Sequence, residues 1–202
     1  MSDTYRTIRA ASEGLFKDKG SRFIAYAFPV YTEEEIREHV NRLKKEHHAA
    51  RHHCYAWRLG AENQTFRAND DGEPSGTAGK PILGQIQSFD LTNILVVVVR
   101  YFGGTLLGVS GLINAYRSAT IEVINNSEII SCIVEDVIKV EYDYLNMNEV
   151  MRIVKDESLE IISTQFDLKC VLKISVRQSE SERITEMLNK LIGVKAEPEG
   201  TR

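Results

Sequence analysis

Six consecutive apolar residues, Ile94 to Val99, constrain the fold of this chain more than any other segment. All but one of them are β-branched, which is typical of a β-strand. A strand without a polar position is buried on both faces. The segment therefore predicts a central strand with a packed layer on each side of its sheet. At 202 residues, 43% of them hydrophobic, the chain has room for one large domain or two small ones.

The spacing of apolar residues predicts further elements around this strand. The predicted strands are Thr4 to Ile8, Ser21 to Val30 and Arg51 to Leu59. One helix is predicted to begin at Thr32, which forms a capping box with Glu35. A second is predicted to begin near Pro81, and a third is predicted to be capped by Ser110.

After Asn126 the pattern of elements begins again. Strands are predicted at Val134 to Tyr142, Glu160 to Phe166, Cys170 to Val176 and Val194 to Ala196, with helices capped by Asn146 and by Ser179. The order βαββαβ predicts a ferredoxin-like module of four strands with two helices on one face. We therefore expect an α+β protein of two domains, residues 1–128 and 129–202.

The segment from Asp70 to Pro81 predicts a shaped loop. Five of its twelve residues are Gly or Pro, so it cannot be regular structure. It is not a phosphate-binding P-loop, because Pro74 and Pro81 stand where that motif needs Gly and Ser or Thr. We expect the amides of Thr77 to Lys80 to face outward near a helix N-terminus, which would make this loop a contact surface.

A second Gly-rich turn follows Arg100, Tyr101 and Phe102, with glycines at 103, 104, 108 and 111. A strand, a Gly-rich turn and a helix in succession can hold an anion. Close packing of this turn against the Asp70 loop is the alternative, and the residues alone leave both open.

Composition excludes several classes of function. His47, His48, His52 and His53 do not form a metal site, because neighbouring residues on a strand point to opposite faces and no Cys or carboxylate has ligand spacing. Cys54, Cys132 and Cys170 are expected to be buried thiols. We expect no cofactor and no metal. No run of 18 apolar residues and no apolar N-terminal segment occur, so we expect a cytoplasmic protein without membrane contact.

Three segments together resemble the YigZ/IMPACT family. They are His53 to Ala56, Asp70 to Pro81, and Val98 to Gly104 with Leu107 and Gly108. The resemblance implies a first domain with the split β-α-β fold of ribosomal proteins and a late domain of elongation factor G. It also implies a ferredoxin-like second domain and an association with translation, through RNA, the ribosome or a translation factor.

Two functional hypotheses follow. The first is a translation-associated regulatory binding protein that contacts RNA, the ribosome or a ribosome-bound factor, with charge from Lys80 and Arg100 and base stacking on Tyr101 or Phe102. Its predicted surface consists of His53, Asp70, Asp71, Gly72, Glu73, Pro74, Ser75, Gly76, Thr77, Gly79, Lys80, Arg100, Tyr101, Phe102, Gly103 and Gly104. The second is a hydrolase in which Asp70, Asp71 or Glu73 acts with His53 as base or ligand.

Overall fold

The computed structural model describes residues 3–61, 65–167 and 169–201. Contacts divide the chain into two compact units, Tyr5–Cys132 (the N-terminal unit) and Ile133–Arg202 with Met1–Thr4 (the C-terminal unit). This division falls close to the predicted domain boundary between residues 128 and 129, which stays a prediction.

The N-terminal unit contains β1 to β7 and α1 to α3 in its described residues. The strands are β1 (Thr4–Ile8), β2 (Ser12–Asp18), β3 (Ser21–Pro29), β4 (His52–Leu59), β5 (Thr65–Asn69), β6 (Ile94–Tyr101) and β7 (Ile129–Ile133). The helices are α1 (Glu33–Glu46), α2 (Gly79–Ser88) and α3 (Gly108–Asn125). The main sheet has the order β2-β3-β6-β4-β5 with antiparallel neighbours, and β1 pairs separately with β7.

The central strand β6 is buried on both faces, as its sequence predicts. Val96 and Val98 belong to the core beneath α2 and α3, while Val97 and Val99 pack in the core beneath α1. All six residues Ile94 to Val99 have a relative exposure of 0%. Because an apolar side chain gains about 1.5–3 kcal/mol on burial, this strand fixes the helix, sheet, helix layering of the unit.

Two of the three predicted helix starts in this unit are confirmed. The Thr32 hydroxyl accepts a hydrogen bond from the Glu35 amide at 3.2 Å and caps α1. Pro81 lies in the first turn of α2, where its missing N–H costs nothing. The Ser110 cap is wrong, because α3 already begins at Gly108 and Ser110 lies inside its first turn.

The C-terminal unit is ferredoxin-like, as predicted. In its described residues it contains β8 (Glu135–Tyr142), α4 (Met147–Asp156), β9 (Glu160–Phe166), β10 (Cys170–Arg177), α5 (Ser181–Asn189) and β11 (Val194–Thr201). The antiparallel sheet has the order β11-β8-β10-β9. Val150, Ile153 and Val154 of α4 and Ile184 and Leu188 of α5 pack with one side of the sheet in a single core.

Of the two predicted caps in this unit, Asn146 is confirmed as the N-cap position of α4, whereas Ser179 is wrong. Asn146 precedes α4, but its side chain makes no capping hydrogen bond. Ser179 lies in a 3-10 turn before α5, and its hydroxyl donates to the Asp3 carboxylate at 2.7 Å. The 3-10 turn moves the start of α5 to Ser181, two residues beyond the predicted cap.

The sequence pattern did not predict β2, β5 or β7. The three cysteines are free thiols; Cys54 and Cys170 are buried and Cys132 is half-buried. Among the described residues, no helix is both long and apolar enough to span a membrane.

Candidate functional site

The carboxylate of Asp70 organises the loop from the inside. Its Oδ2 accepts the Gly76 amide at 2.9 Å, and its Oδ1 accepts the amides of Ala78 at 3.1 Å and Gly79 at 2.8 Å. The Thr77 amide donates to the carbonyl of Pro74. The prediction of outward-facing amides is therefore wrong for Thr77, Ala78 and Gly79, because the protein supplies its own anion at the N-terminus of α2.

The environment of Asp70 holds its charged form in place. Partial burial raises the pKa of this carboxyl, but the hydrogen bonds from the three amides, together with the nearby Lys80 charge, outweigh it. The net result is a pKa below the ordinary value, so Asp70 is ionised at neutral pH.

Asp71 fastens the same loop to α1 and β4. Its backbone is in the left-handed region with φ of 40°. Oδ1 accepts from Lys44 Nζ at 2.9 Å, and Oδ2 accepts from the His53 amide at 2.7 Å. Burial raises the pKa of Asp71, but the hydrogen bonds from Lys44 and His53 lower it by more. The net pKa is therefore below the ordinary value.

Glu73 and Arg100 form a buried ion pair beneath the loop. Arg100 Nη1 donates to Glu73 Oε1 at 2.6 Å, and the Tyr116 hydroxyl donates to the same oxygen at 2.8 Å. The relative exposures are 8% for Glu73 and 7% for Arg100. The prediction that Arg100 supplies surface charge is therefore wrong, because its guanidinium is buried and paired with Glu73.

Cys54 extends this buried network towards Asp70. Its thiol donates to the Asp70 carbonyl at 2.9 Å, and its sulfur lies 3.3 Å from the Tyr116 hydroxyl. Burial raises the pKa of the Cys54 thiol and of the Tyr116 phenol, so both stay protonated and act as donors. The thiol is structural rather than nucleophilic, since the thiolate is the reactive form.

His53 does not form a catalytic pair with the acids of the loop. The residue is 5% exposed, and its Nδ1 lies 3.6 Å from Asp71 Oδ2, beyond a hydrogen bond. Burial lowers the pKa of His53 more than the Asp71 carboxylate raises it, so the ring is neutral at pH 7. Since Asp70, Asp71 and Glu73 are each engaged by donors of the protein, none is a free base as the hydrolase hypothesis requires. Among the described residues, no group of three or more His, Cys, Asp or Glu could hold a metal.

The Gly-rich turn after β6 packs against the β2–β3 turn. A Cβ atom on Gly103 would lie 1.9 Å from the carbonyl carbon of Gly20, so only Gly fits there. The Gly103 amide also donates to the Ser21 hydroxyl at 3.1 Å. The contact of this turn with the β2–β3 turn was not predicted, and its packing against the Asp70 loop stays a prediction.

Tyr101 is half-buried, with its ring and hydroxyl both engaged. The hydroxyl lies 2.9 Å from His47 Nδ1, and the Arg22 guanidinium carbon lies 5.0 Å from the ring centre. Sequence analysis gave no role to His47, Lys44 or Tyr116. Tyr116 lies on the buried side of α3, a position that by itself indicates core packing and not a hydrogen bond to Glu73.

The predicted surface thus separates into supports and exposed residues. The exposed ones are Gly72, Pro74, Ser75, Lys80, Phe102, Gly103 and Gly104, which we call the loop surface. The supports are half-buried or buried and comprise His53, Asp70, Asp71, Glu73, Gly76, Thr77, Gly79, Arg100 and Tyr101. Phe102 is 55% exposed, so one large aromatic ring stands beside small residues and a cation.

The fold and this braced loop define a two-unit α+β protein with a ferredoxin-like second unit. The Impact N-terminal domain model matches residues 19–124. The chain is similar to the IMPACT family member YvyE of Bacillus subtilis, with 30% identity over 197 residues, covering 98% of this chain and 91% of that protein. It is also 47% identical over 100 residues to the IMPACT family member YigZ of Escherichia coli, covering 48% and 49% of the two chains. The chain belongs to the IMPACT family.

A solved structure has the same fold over nearly the whole chain. The crystal structure of a hypothetical protein superposes with a TM-score of 0.74 and 26% identity, over 97% of each chain.

Proposed function

We propose that this protein is a translation-associated regulatory binding protein that acts in the cytoplasm. Its loop surface contacts ribosomal RNA or a ribosome-bound factor. The link to translation rests on membership of the IMPACT family and on what the motifs of that family imply.

The observation that carries a binding role is the internal use of the acids of the loop. Asp70, Asp71 and Glu73 each bind a donor of the protein, so the loop is held rigidly and offers no free carboxylate. A preorganised loop loses little conformational entropy on binding. Its exterior carries a cation and small residues, which suit a backbone of phosphates better than they suit bond cleavage.

Lys80 and Phe102 supply the contacts in this proposal. Lys80 is exposed, and no ion pair with it occurs among the described residues. Phe102 exposes a ring on which an unpaired base can stack. Arg100 and Glu73 support the surface from below, with the Arg100 guanidinium carbon 5.7 Å from the Phe102 ring centre.

Co-sedimentation with ribosomes and subunits tests the proposal. We expect the wild type to sediment with ribosomes at about 50 mM salt and to be released at about 200 mM, as phosphate contacts require. The variant Lys80→Glu/Phe102→Ala should bind at least about tenfold more weakly, since losing one stacked base alone costs about 1–3 kcal/mol.

The matched control is Lys155→Glu/Tyr144→Ala, which changes an exposed cation and a 75% exposed aromatic residue in the C-terminal unit. It should sediment like the wild type. Wild-type protein that stays at the top of the gradient at low salt would refute ribosome binding. Equal loss in both variants would remove the loop surface as the site.

A further inference from the structure

Lys17, Arg22 and Tyr101 form a cross-strand row on the N-terminal sheet. Lys17 pairs with Arg22 across β2 and β3, and Arg22 pairs with Tyr101 across β3 and β6. Residues directly opposite in antiparallel strands point to the same face, with Cβ atoms about 4.5–5.5 Å apart. The row lies on the face opposite to Phe23, whose side chain is in the core beneath α2 and α3.

The row places two cations side by side on neighbouring strands. Lys17 and Arg22 are exposed, and neither makes an ion pair within the described part of the chain. Asp18 is half-buried and follows Lys17 on the strand, so its side chain points to the other face. Glu13 is four residues away on β2, about 13 Å along the strand. Like charges directly opposite each other destabilise a sheet, so this arrangement is unfavourable in the free protein.

In the C-terminal unit the repulsion between two opposite cations is relieved by acids of the protein itself. Lys139 and Lys173 also face each other, across β8 and β10. Each has a carboxylate at 2.6 Å, Glu141 for Lys139 and Glu199 for Lys173. The N-terminal row lacks such partners among the described residues, and an external anion would supply them.

The geometry of the row suits phosphate. The Arg22 guanidinium carbon lies 5.0 Å from the centre of the Tyr101 ring, and this cation–π contact does not use the N–H donors that can bind phosphate oxygens. Beside the row is an open hollow of about 500 Å³, whose lining includes Lys17 and Arg22 together with the acids Glu13 and Glu122. Lys19 adds a third exposed cation in the tight turn, where its φ is 44°.

The close contact between Gly20 and Gly103 connects this row with the loop surface. The contact brings the β2–β3 turn, with Lys19, against the turn that carries Phe102. The Phe102 ring lies beside Arg100 on the Phe23 face of the sheet, so the row and the ring are on opposite faces and come together only at the end of the sheet where the two turns meet. Proteins bind single-stranded nucleic acid with cations that contact its phosphates and with aromatic rings on which its bases stack.

We propose that Lys17 and Arg22 bind adjacent phosphates of single-stranded RNA that passes round this end of the sheet towards Phe102. The inference rests on the proposed function and names its ligand class and a second set of contacts. Phosphate on a membrane surface is the other source of the same chemistry, and the test separates the two.

The probe is a fluorescein-labelled single-stranded RNA of about 12 nucleotides, followed by anisotropy at several salt concentrations. Lys17→Glu leaves the Arg22 and Tyr101 stack in place and creates an opposite-charge pair. We expect its affinity to fall about tenfold at low salt. The slope of log K against log salt should become shallower by about 0.7 for the lost contact. Its melting temperature should equal or exceed that of the wild type, whereas a misfolded variant would melt earlier.

Lys155→Glu is the control with the same charge change in the C-terminal unit, and it should bind the RNA like the wild type. Unchanged affinity and slope for Lys17→Glu would overturn the inference and leave ribosome binding untouched. Sedimentation of wild type with ribosomes, but no binding of the RNA at about 50 mM salt, would also overturn it and favour a protein contact. Capture by phosphatidylserine vesicles instead of RNA would assign the row to a membrane.

Discussion

The two units of the chain place their charges differently. In the C-terminal unit the described ion pairs lie at the surface, as between Lys173 and Glu199, whose side chains are 36% and 41% exposed. In the N-terminal unit Glu73 and Arg100 pair in the interior, with side-chain exposures of 3% and 8%. Surface pairs are worth about 0–1 kcal/mol, whereas a buried pair is costly to form and more costly to break.

This difference explains how a chain segment without net charge can present cations. Residues 1–128 contain 15 Lys and Arg and 15 Asp and Glu. Asp70, Asp71 and Glu73 are used to hold the loop, while Lys17, Lys19 and Lys80 remain exposed. The charge that the loop presents is therefore set by which of its charged groups are internal, and net charge alone does not reveal it.

The largest expected effect comes from breaking the buried pair. Glu73→Ala leaves Arg100 buried without its carboxylate and removes the acceptor of the Tyr116 hydroxyl. We expect the free energy of unfolding in urea at pH 7 to fall by about 3–5 kcal/mol. A loss below about 1 kcal/mol would show that the pair is solvated in solution.

The double variant Glu73→Leu/Arg100→Met separates stability from loop position. Replacing a buried ion pair by apolar residues is often close to neutral, so this variant should be far more stable than Glu73→Ala. It no longer ties the loop to β6, and we expect it to lose ribosome binding although it folds. Full binding by this variant would show that the pair does not position the loop surface.

Gly→Ala substitutions compare how closely the backbone is packed in the two units. Gly103→Ala forces the two turns apart and should cost about 1–3 kcal/mol, like other overpacking changes. Gly104→Ala meets no atom within 4 Å but has a φ of 89°, so it should cost about 1 kcal/mol. In the C-terminal unit Gly200→Ala has open space and no positive φ and should be nearly neutral. Urea unfolding of the three variants gives the ranking; equal losses would contradict the close approach of Gly103 to Gly20.

Asp70 predicts a pH dependence confined to the N-terminal unit. Its pKa is lowered in the folded protein relative to an unfolded value of about 3.9. The stabilisation is therefore present above the unfolded pKa and is lost as the pH falls through the folded pKa. Asp70→Ala should reduce the free energy of unfolding by about 1–2 kcal/mol at pH 7, as the loss of a capping side chain does.

The gap between wild type and Asp70→Ala should narrow as the pH is lowered from about 5 towards 3, because the wild type loses its charged cap there. Chemical unfolding at each pH measures it. A gap that is constant over this range would mean that the carboxylate charge contributes nothing to holding the amides of the loop.

Sequence patterns predicted those parts of the fold in which one strong signal decides. The apolar run of β6 and the capping box of Thr32 depend on neighbouring residues alone, and both are confirmed. In contrast, β5 is largely exposed and carries no apolar alternation, so its pairing with β4 could not be predicted. The Ser179 cap failed because a 3-10 turn competes for the same residues.

The candidate site was found by sequence, but the roles within it were not. The Gly and Pro content marked the loop and the turn, and the structure places both in one unit. Whether Arg100 meets solvent or Glu73 depends on a contact between residues 27 positions apart, which no local pattern encodes. Likewise, the alternation of β2 could not show that Lys17 faces Arg22, because register becomes visible only once the hairpin is formed.

The smallest expected effects are on the two pairs of like charges, Lys139 with Lys173 and Lys17 with Arg22. Substitutions at the two pairs should change the free energy of unfolding in opposite directions. Glu199→Ala removes the carboxylate that compensates Lys173 opposite Lys139, so it should lower the free energy of unfolding by up to about 0.5 kcal/mol. Lys17→Gln removes one cation of the pair with Arg22, so this substitution should raise the free energy of unfolding by a similar amount. Both substitutions are at exposed positions, and urea unfolding at low salt is the measurement, since salt screens exposed charges. If Lys17→Gln instead lowers the free energy of unfolding, Lys17 and Arg22 do not repel each other in the free protein. RNA phosphate would then have no repulsion to relieve.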